Sequence, residues 1–171
     1  MSKFKSFLKD PLGLLLFVSN LLIEKKILKF KRKLLYDKYE IHPTVGIHLE
    51  TKIYGIGYIS IGENTYFGKN TFVVSNPKGA RISIGKNCRI SHGCHFRTED
   101  NIPETLHQKQ PQKKSEDIII GDNCWIGANA FVRGGVTLGD NVTVGANSVV
   151  LSSFPSNVII GGIPAKVLKT L

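Results

Sequence analysis

The chain has 171 residues, 42% of them hydrophobic and 21% charged. That composition supplies one core and excludes a collagen-like, coiled-coil or wholly disordered protein. Its 23 Lys and Arg against 13 Asp and Glu give a formal charge of +10, of which +6 falls within residues 1–40, so the excess belongs to an N-terminal segment. Three cysteines, Cys88, Cys94 and Cys124, exclude a disulfide framework and fit a reducing, cytoplasmic setting.

Residues 1–40 hold ten of the sixteen leucines, whereas 28 of the 31 Ile and Val come later. A helical segment therefore precedes a strand-rich one. Pro11 suits the first turn of a helix, where its missing N–H costs nothing. The apolar run over residues 12–23 contains Asn20 and falls short of the roughly 20 residues that span a bilayer. No small-residue cleavage site follows it, which argues against export. Beyond Glu24 the segment turns basic, with Ile23, Ile27 and Leu34 on one side. Such a segment either lies on a membrane surface or caps the following domain or a neighbouring subunit.

From residue 41 onward the period changes to six. Ile120, Ile126, Val132, Leu138, Val144 and Val150 are aliphatic at constant spacing, and the same register holds at Ile84, Ile90, Phe96 and at Ile61, Phe67, Val73. An earlier set at Ile41, Ile47, Ile53 and Ile59 is offset by two. Six matches neither a helix at 3.6 nor a strand at 2; it matches short strands joined by tight turns, with the aliphatic residue inward and its copies stacked in columns. The Gly that follows four of these aliphatics, or the Asn three residues after them (Asn64, Asn87, Asn123, Asn141), is expected to supply the left-handed turn.

These repeats, above all IIIGDNCWIGANAFVRGGVTLGDNVTVGANSVV at 118–150 and IIGGIPAKVLKTL at 159–171, resemble the hexapeptide-repeat acyltransferases, and in particular the acetyl-CoA-dependent sugar O-acetyltransferases of the maltose, galactoside and surface-polysaccharide type. The resemblance implies an all-β fold, a left-handed parallel β-helix over 41–171, carrying an N-terminal α-helical segment over 1–40. It also implies a homotrimer with its active site between subunits. The acceptor would be a sugar or lipid-linked glycan.

The periodicity breaks between Phe96 and Ile118, so a polar loop is extruded at 97–117; loops on rigid scaffolds carry function. The resembling enzymes place a catalytic His five residues after the last inward aliphatic, and Asn101 stands there in this chain. A sugar hydroxyl needs a general base, which an amide is not. The remaining candidates are His107 and Asp100 in the loop and His95 at its root. Otherwise the acceptor is an amine, making the protein an N-acetyltransferase on an amino sugar, or the β-helix is an inactive scaffold. On the donor side the resemblance assigns Trp125, Ala128 and Ala146 to the pantetheine arm of acetyl-CoA and Lys166 and Lys169 to its phosphates. Trp125 is one residue before inward Ile126 and so faces outward, an odd place for a lone large aromatic. Cys88 and Cys94 occupy inward positions on successive faces and cannot converge with His92, so no metal site is expected. Nucleic-acid binding is not expected either, because aromatic residues are not interleaved with the basic run.

Overall fold

The computed structural model describes residues 11–77 and 79–171; the first ten residues of the basic segment, Lys3, Lys5 and Lys9 among them, lie outside the described residues. The chain divides into two compact units between Leu34 and Leu35. The first contains most of one α-helix, α1 (Pro11–Lys38), on which Leu15 and Phe30 are both 64% exposed.

In the second unit the chain coils through three parallel sheets. Face one stacks Glu40–Ile41, Tyr58–Ile61, Arg81–Ile84, Ile118–Ile120 and Thr137–Leu138. Face two stacks Gly46–Ile47, Tyr66–Phe67, Arg89–Ile90, Trp125–Ile126, Thr143–Val144 and Val158–Gly162, and Ala165–Thr170 folds back antiparallel along its edge. Face three stacks Lys52–Gly55, Phe72–Ser75, His95–Arg97, Phe131–Arg133 and Val149–Val150. The result is a parallel β-helix in which six residues make one face and its corner.

The inward residues form three columns: Ile41, Ile61, Ile84, Ile120 and Leu138 on face one; Ile47, Phe67, Ile90, Ile126, Val144 and Ile160 on face two; Ile53, Val73, Phe96, Val132 and Val150 on face three. All are buried, and burying an aliphatic side chain of this size contributes about 1.5–3 kcal/mol. Leu35 and Tyr39, at and just past the last turn of α1, join the same core. The Tyr39 hydroxyl and the Lys38 ammonium each donate to the Gly55 carbonyl at 2.9 Å, which ties this end to the first coil.

The corners correct one expectation. Asn64, Asn87, Asn123 and Asn141 do take the left-handed turn, at φ of 56° or 57°, and their side chains link across coils, as from Asn64 Nδ2 to Asn87 Oδ1 at 3.4 Å. The glycines after the inward aliphatics are not left-handed. A Cβ on Gly127 would lie 2.6 Å from the Ala146 nitrogen and the Val144 carbonyl oxygen, so glycine there lets consecutive coils approach. A second correction concerns Ile59, which pairs with Ile82 and leaves Ile61 to continue the column against Ile84. Two extra residues at the corner after Ile53 cause the offset. They need Gly55, whose φ is 127° and whose Cβ would run into the Ser75 carbonyl.

Candidate functional site

Between faces three and one the coil opens into a hairpin, not a bare loop. Glu99–Asn101 pairs antiparallel with Lys113–Ser115, and a 3₁₀ turn, Pro103–Thr105, follows the first strand. Its root is pinned from below: Thr98 Oγ1 donates to the Asn76 carbonyl at 2.6 Å, Ser115 Oγ donates to the same oxygen at 2.9 Å, and the Glu116 N–H donates to the Thr98 carbonyl at 2.9 Å. Ion pairs brace the hairpin, Lys113 with Glu99 at 3.0 Å and Lys114 with Glu116 at 2.9 Å. Asn101 faces Lys113 and Asp100 faces Lys114. Both line a groove of about 260 Å³ with Glu104, Glu116 and Arg133. His107 is exposed beyond the 3₁₀ turn and does not line that groove. His95 lies on face three, exposed, with its ring centroid 4.6 Å from that of Phe72.

The donor-side residues gather elsewhere. On face two the strand registers align Tyr66, Arg89, Trp125, Thr143, Ile159 and Lys169 in one row, next to but never part of the inward column. Three strand steps of about 4.8 Å put Lys169 about 14 Å from Trp125. The indole is 54% exposed, its Nε1 donates to Ser91 Oγ at 3.2 Å, and it lines a groove with Tyr66, Arg89 and Ser91. Ala128 and Ala146 sit on adjacent coils at the corner that leads to face three, where the Asn147 N–H donates to the Ala128 carbonyl at 2.8 Å. Lys166 is exposed on the returning strand opposite Gly161. Trp125, Ala128, Ala146, Lys166 and Lys169 are thus brought to one side of the coil. Asp100, Asn101 and His107 project from the opposite corner, and neither the hairpin groove nor the Trp125 groove is lined by members of both sets.

Sequence reasoning missed Arg89, which flanks Trp125, and Arg133, which lines the hairpin groove. A signal for the first existed, because Arg89 precedes inward Ile90 as Trp125 precedes inward Ile126. Cys88, Cys94 and Cys124 are free and buried. Burial pushes the Cys94 thiol up to about 11, and a hydrogen bond with Cys88 together with burial pushes Cys124 up as well. Among the described residues no three His, Cys, Asp or Glu side chains converge as metal ligands would.

The hexapeptide repeat of succinyl-transferase matches residues 58–94 and 117–152. Galactoside O-acetyltransferase of Escherichia coli is 31% identical over 117 residues, 67% of this chain and 58% of that protein. An Escherichia coli protein ascribed to colanic acid biosynthesis as an acetyltransferase is 48% identical over 88 residues, 52% of this chain and 47% of its own. The chain therefore spans 47–58% of the length of these curated relatives. The crystal structure of a hexapeptide-repeat-containing acetyltransferase from Vibrio cholerae superposes with a TM-score of 0.68 at 30% identity, covering 78% of this chain and 74% of that one. Complexed with acetyl coenzyme A, that Vibrio protein also scores 0.68, at 27% identity over 78% of this chain and 71% of its own. By fold, repeat and sequence, the chain belongs to the hexapeptide-repeat acetyltransferase family.

Proposed function

We propose that the protein transfers the acetyl group of acetyl-CoA to a sugar of a cell-surface polysaccharide or its lipid-linked precursor, working as a homotrimer at the cytoplasmic face of the membrane. The observation that carries this reading is the outward row of face two: an exposed indole, a corner of small residues beside it, and lysines at the far edge. An aromatic surface next to accessible backbone fits an amide-containing pantetheine arm, and ammonium point charges fit phosphates. The Vibrio protein's complex with acetyl coenzyme A supports the donor. The names of the galactoside and colanic acid proteins support a sugar acceptor.

In the transfer an acceptor oxygen attacks the thioester carbonyl carbon as its proton passes to a base; a C–O bond forms, the C–S bond breaks, and the base returns that proton to the departing CoA thiolate, which leaves as the thiol. Asn101 cannot take that proton. Of the other candidates only Asp100 shares its groove, so Asp100 is the base in this reading. A carboxylate is a weaker base than an imidazole, and much of the rate then comes from holding donor and acceptor together. An amine acceptor, already nucleophilic when neutral, lessens the need for a base. Asn101 also favours a second reading, a β-helix that binds without turnover.

Calorimetric titration of acetyl-CoA into wild type and Trp125→Ala, with CoA release followed over a panel of sugars and amino sugars, tests both. The transferase reading expects saturable binding, weakened about tenfold in Trp125→Ala, and release that depends on acceptor. No binding at millimolar acetyl-CoA overturns it, and binding without release on any acceptor favours the second reading.

A further inference from the structure

Face three carries a groove that the donor strip and the hairpin groove leave unused. It has a volume of about 400 Å³ and is lined by Tyr54, Phe72, Val74, Asn76, His95, Arg97 and Glu99, directly beneath the hairpin that presents Asn101. Its floor is aromatic. Phe72 is half-buried, stacks against His95, and has the Lys52 ammonium 5.2 Å from its ring centroid; Tyr54 is 47% exposed. An aromatic floor rimmed by amide, imidazole and guanidinium donors suits a ring with apolar faces and hydroxyl edges.

The charges in and around this groove do not cancel. Glu99, its one carboxylate, is held by Lys113 at 3.0 Å; of the other hairpin carboxylates, Glu116 is held by Lys114 at 2.9 Å, while Asp100 and Glu104 line the separate hairpin groove and not this one. Among the described residues Arg97 forms no ion pair. It lies directly opposite Arg133 on the adjacent strand, an arrangement of like charges that is destabilising in a sheet. Arg133 turns to the Leu151 carbonyl, donating at 3.3 Å. Arg97 is left as an exposed guanidinium at the groove's edge, with Lys52 at the other side. A guanidinium fork matches a planar carboxylate or a phosphate and binds either with charge-assisted hydrogen bonds.

We infer that the acceptor is an acidic glycan, whose sugar ring lies on Phe72 and Tyr54 and whose carboxylate or phosphate pairs with Arg97. The inference rests on the transferase reading above and assigns that site's substrate class. Lys52 adds positive potential, and Asn76 and His95 offer hydrogen bonds to ring hydroxyls.

The test compares a neutral hexoside, the matching hexuronate and the hexose 1-phosphate, using the full chain as wild type, Arg97→Gln and Arg97→Lys. Two readouts are taken: direct binding of each sugar without donor, and CoA release with acetyl-CoA. Expected is about tenfold tighter binding of one or both acidic sugars over the neutral one in wild type, the size of one charge-assisted hydrogen bond. That preference collapses in Arg97→Gln and is partly kept in Arg97→Lys. Preference for the uronate alone identifies a carboxylate, and for the phosphate alone a phosphoryl group. Equal binding of neutral and acidic sugars, or a preference that survives Arg97→Gln, overturns the inference. Selective binding that depends on Arg97 but brings no CoA release on any sugar upholds it and removes the transferase reading instead.

Discussion

Asn101 determines which nucleophile the hairpin can serve. It stands on a strand whose register is held by the cross-strand ion pair between Glu99 and Lys113 and by the Asn76 anchor beneath, so a substitution there changes chemistry with little change of shape. Asn101→His is expected to raise turnover on hydroxyl acceptors by about 100-fold or more, the usual contribution of a positioned base, while acetyl-CoA binding stays constant. Steady-state rates on paired hydroxyl and amino sugars check this. Unchanged rates on both would mean that no proton is taken at this position. The buried thiols offer a second prediction at this scale. The folded pKa of Cys94, about 11, lies above that of an unfolded chain, so its stabilising effect is complete below the unfolded value near 8.5 and is lost as pH rises toward the folded one. Stability should fall by about 3 kcal/mol across that window, and Cys94→Ala should flatten the fall in urea titrations at several pH values. An identical pH profile in the variant would show that the thiol ionises at the same pH in the folded and unfolded states. Both Trp125 and Cys94 were legible in the sequence, since inward or outward direction follows from distance to the nearest repeat aliphatic. The Asn76 anchor was not, because it joins residues 22 and 39 positions apart that no local pattern relates.

At the scale of elements, the repeat strands and the extruded segment follow from a period that no other fold needs, yet the segment's own structure does not. A run such as EDNIPETLHQKQPQKKSE shows no alternation of apolar residues, and its two strands are matched through charge, Glu99 with Lys113, with neither strand placed on the core. The role of the glycines was misread for a related reason: sequence shows that a turn is tight, but not that the next coil's backbone passes within contact of it. The helix α1 presents the opposite case, in which pattern outruns contact. Leu12, Leu15, Leu22, Ile23 and Phe30 are more than half exposed, basic residues crowd the segment from Lys25 to Lys33, and no helix among the described residues is long and apolar enough to cross a membrane. Binding in the plane of an anionic surface would cover the apolar side chains and add about 1 kcal/mol per basic residue near it. The full chain is expected to co-sediment with phosphatidylserine-containing vesicles, weakly with phosphatidylcholine alone, and less as salt increases. A triple Lys25→Glu, Lys26→Glu, Lys29→Glu variant should lose most of that binding. Sedimentation independent of lipid charge would remove the electrostatic part of the proposal.

The whole molecule poses a geometric problem that its parts do not. A β-helix with nearest-neighbour stacking is stiff, so the donor strip on face two cannot swing toward a hairpin that leaves the corner between faces three and one. Within one chain the indole and the hairpin groove share no lining residue, yet acyl transfer needs donor and acceptor atoms within about 3.5 Å. A second copy resolves this if its hairpin meets the first copy's face two, as a closed ring of identical subunits allows. Two individually impaired variants, assayed at acetyl-CoA well below its Kd for the wild type, then become informative together. Trp125→Ala spoils the donor strip, and replacing residues 102–112 with a two-residue turn spoils the hairpin while keeping its paired root. If each site draws its halves from neighbouring subunits, refolding the two variants together in equal amounts yields intact sites in about a quarter of positions by random assembly. CoA release should recover to about that fraction of wild type, and mixing the two after separate folding should recover none until subunits exchange. No recovery after co-refolding, with mixed oligomers verified by mass, would place both halves of the site in a single chain and require the hairpin to move.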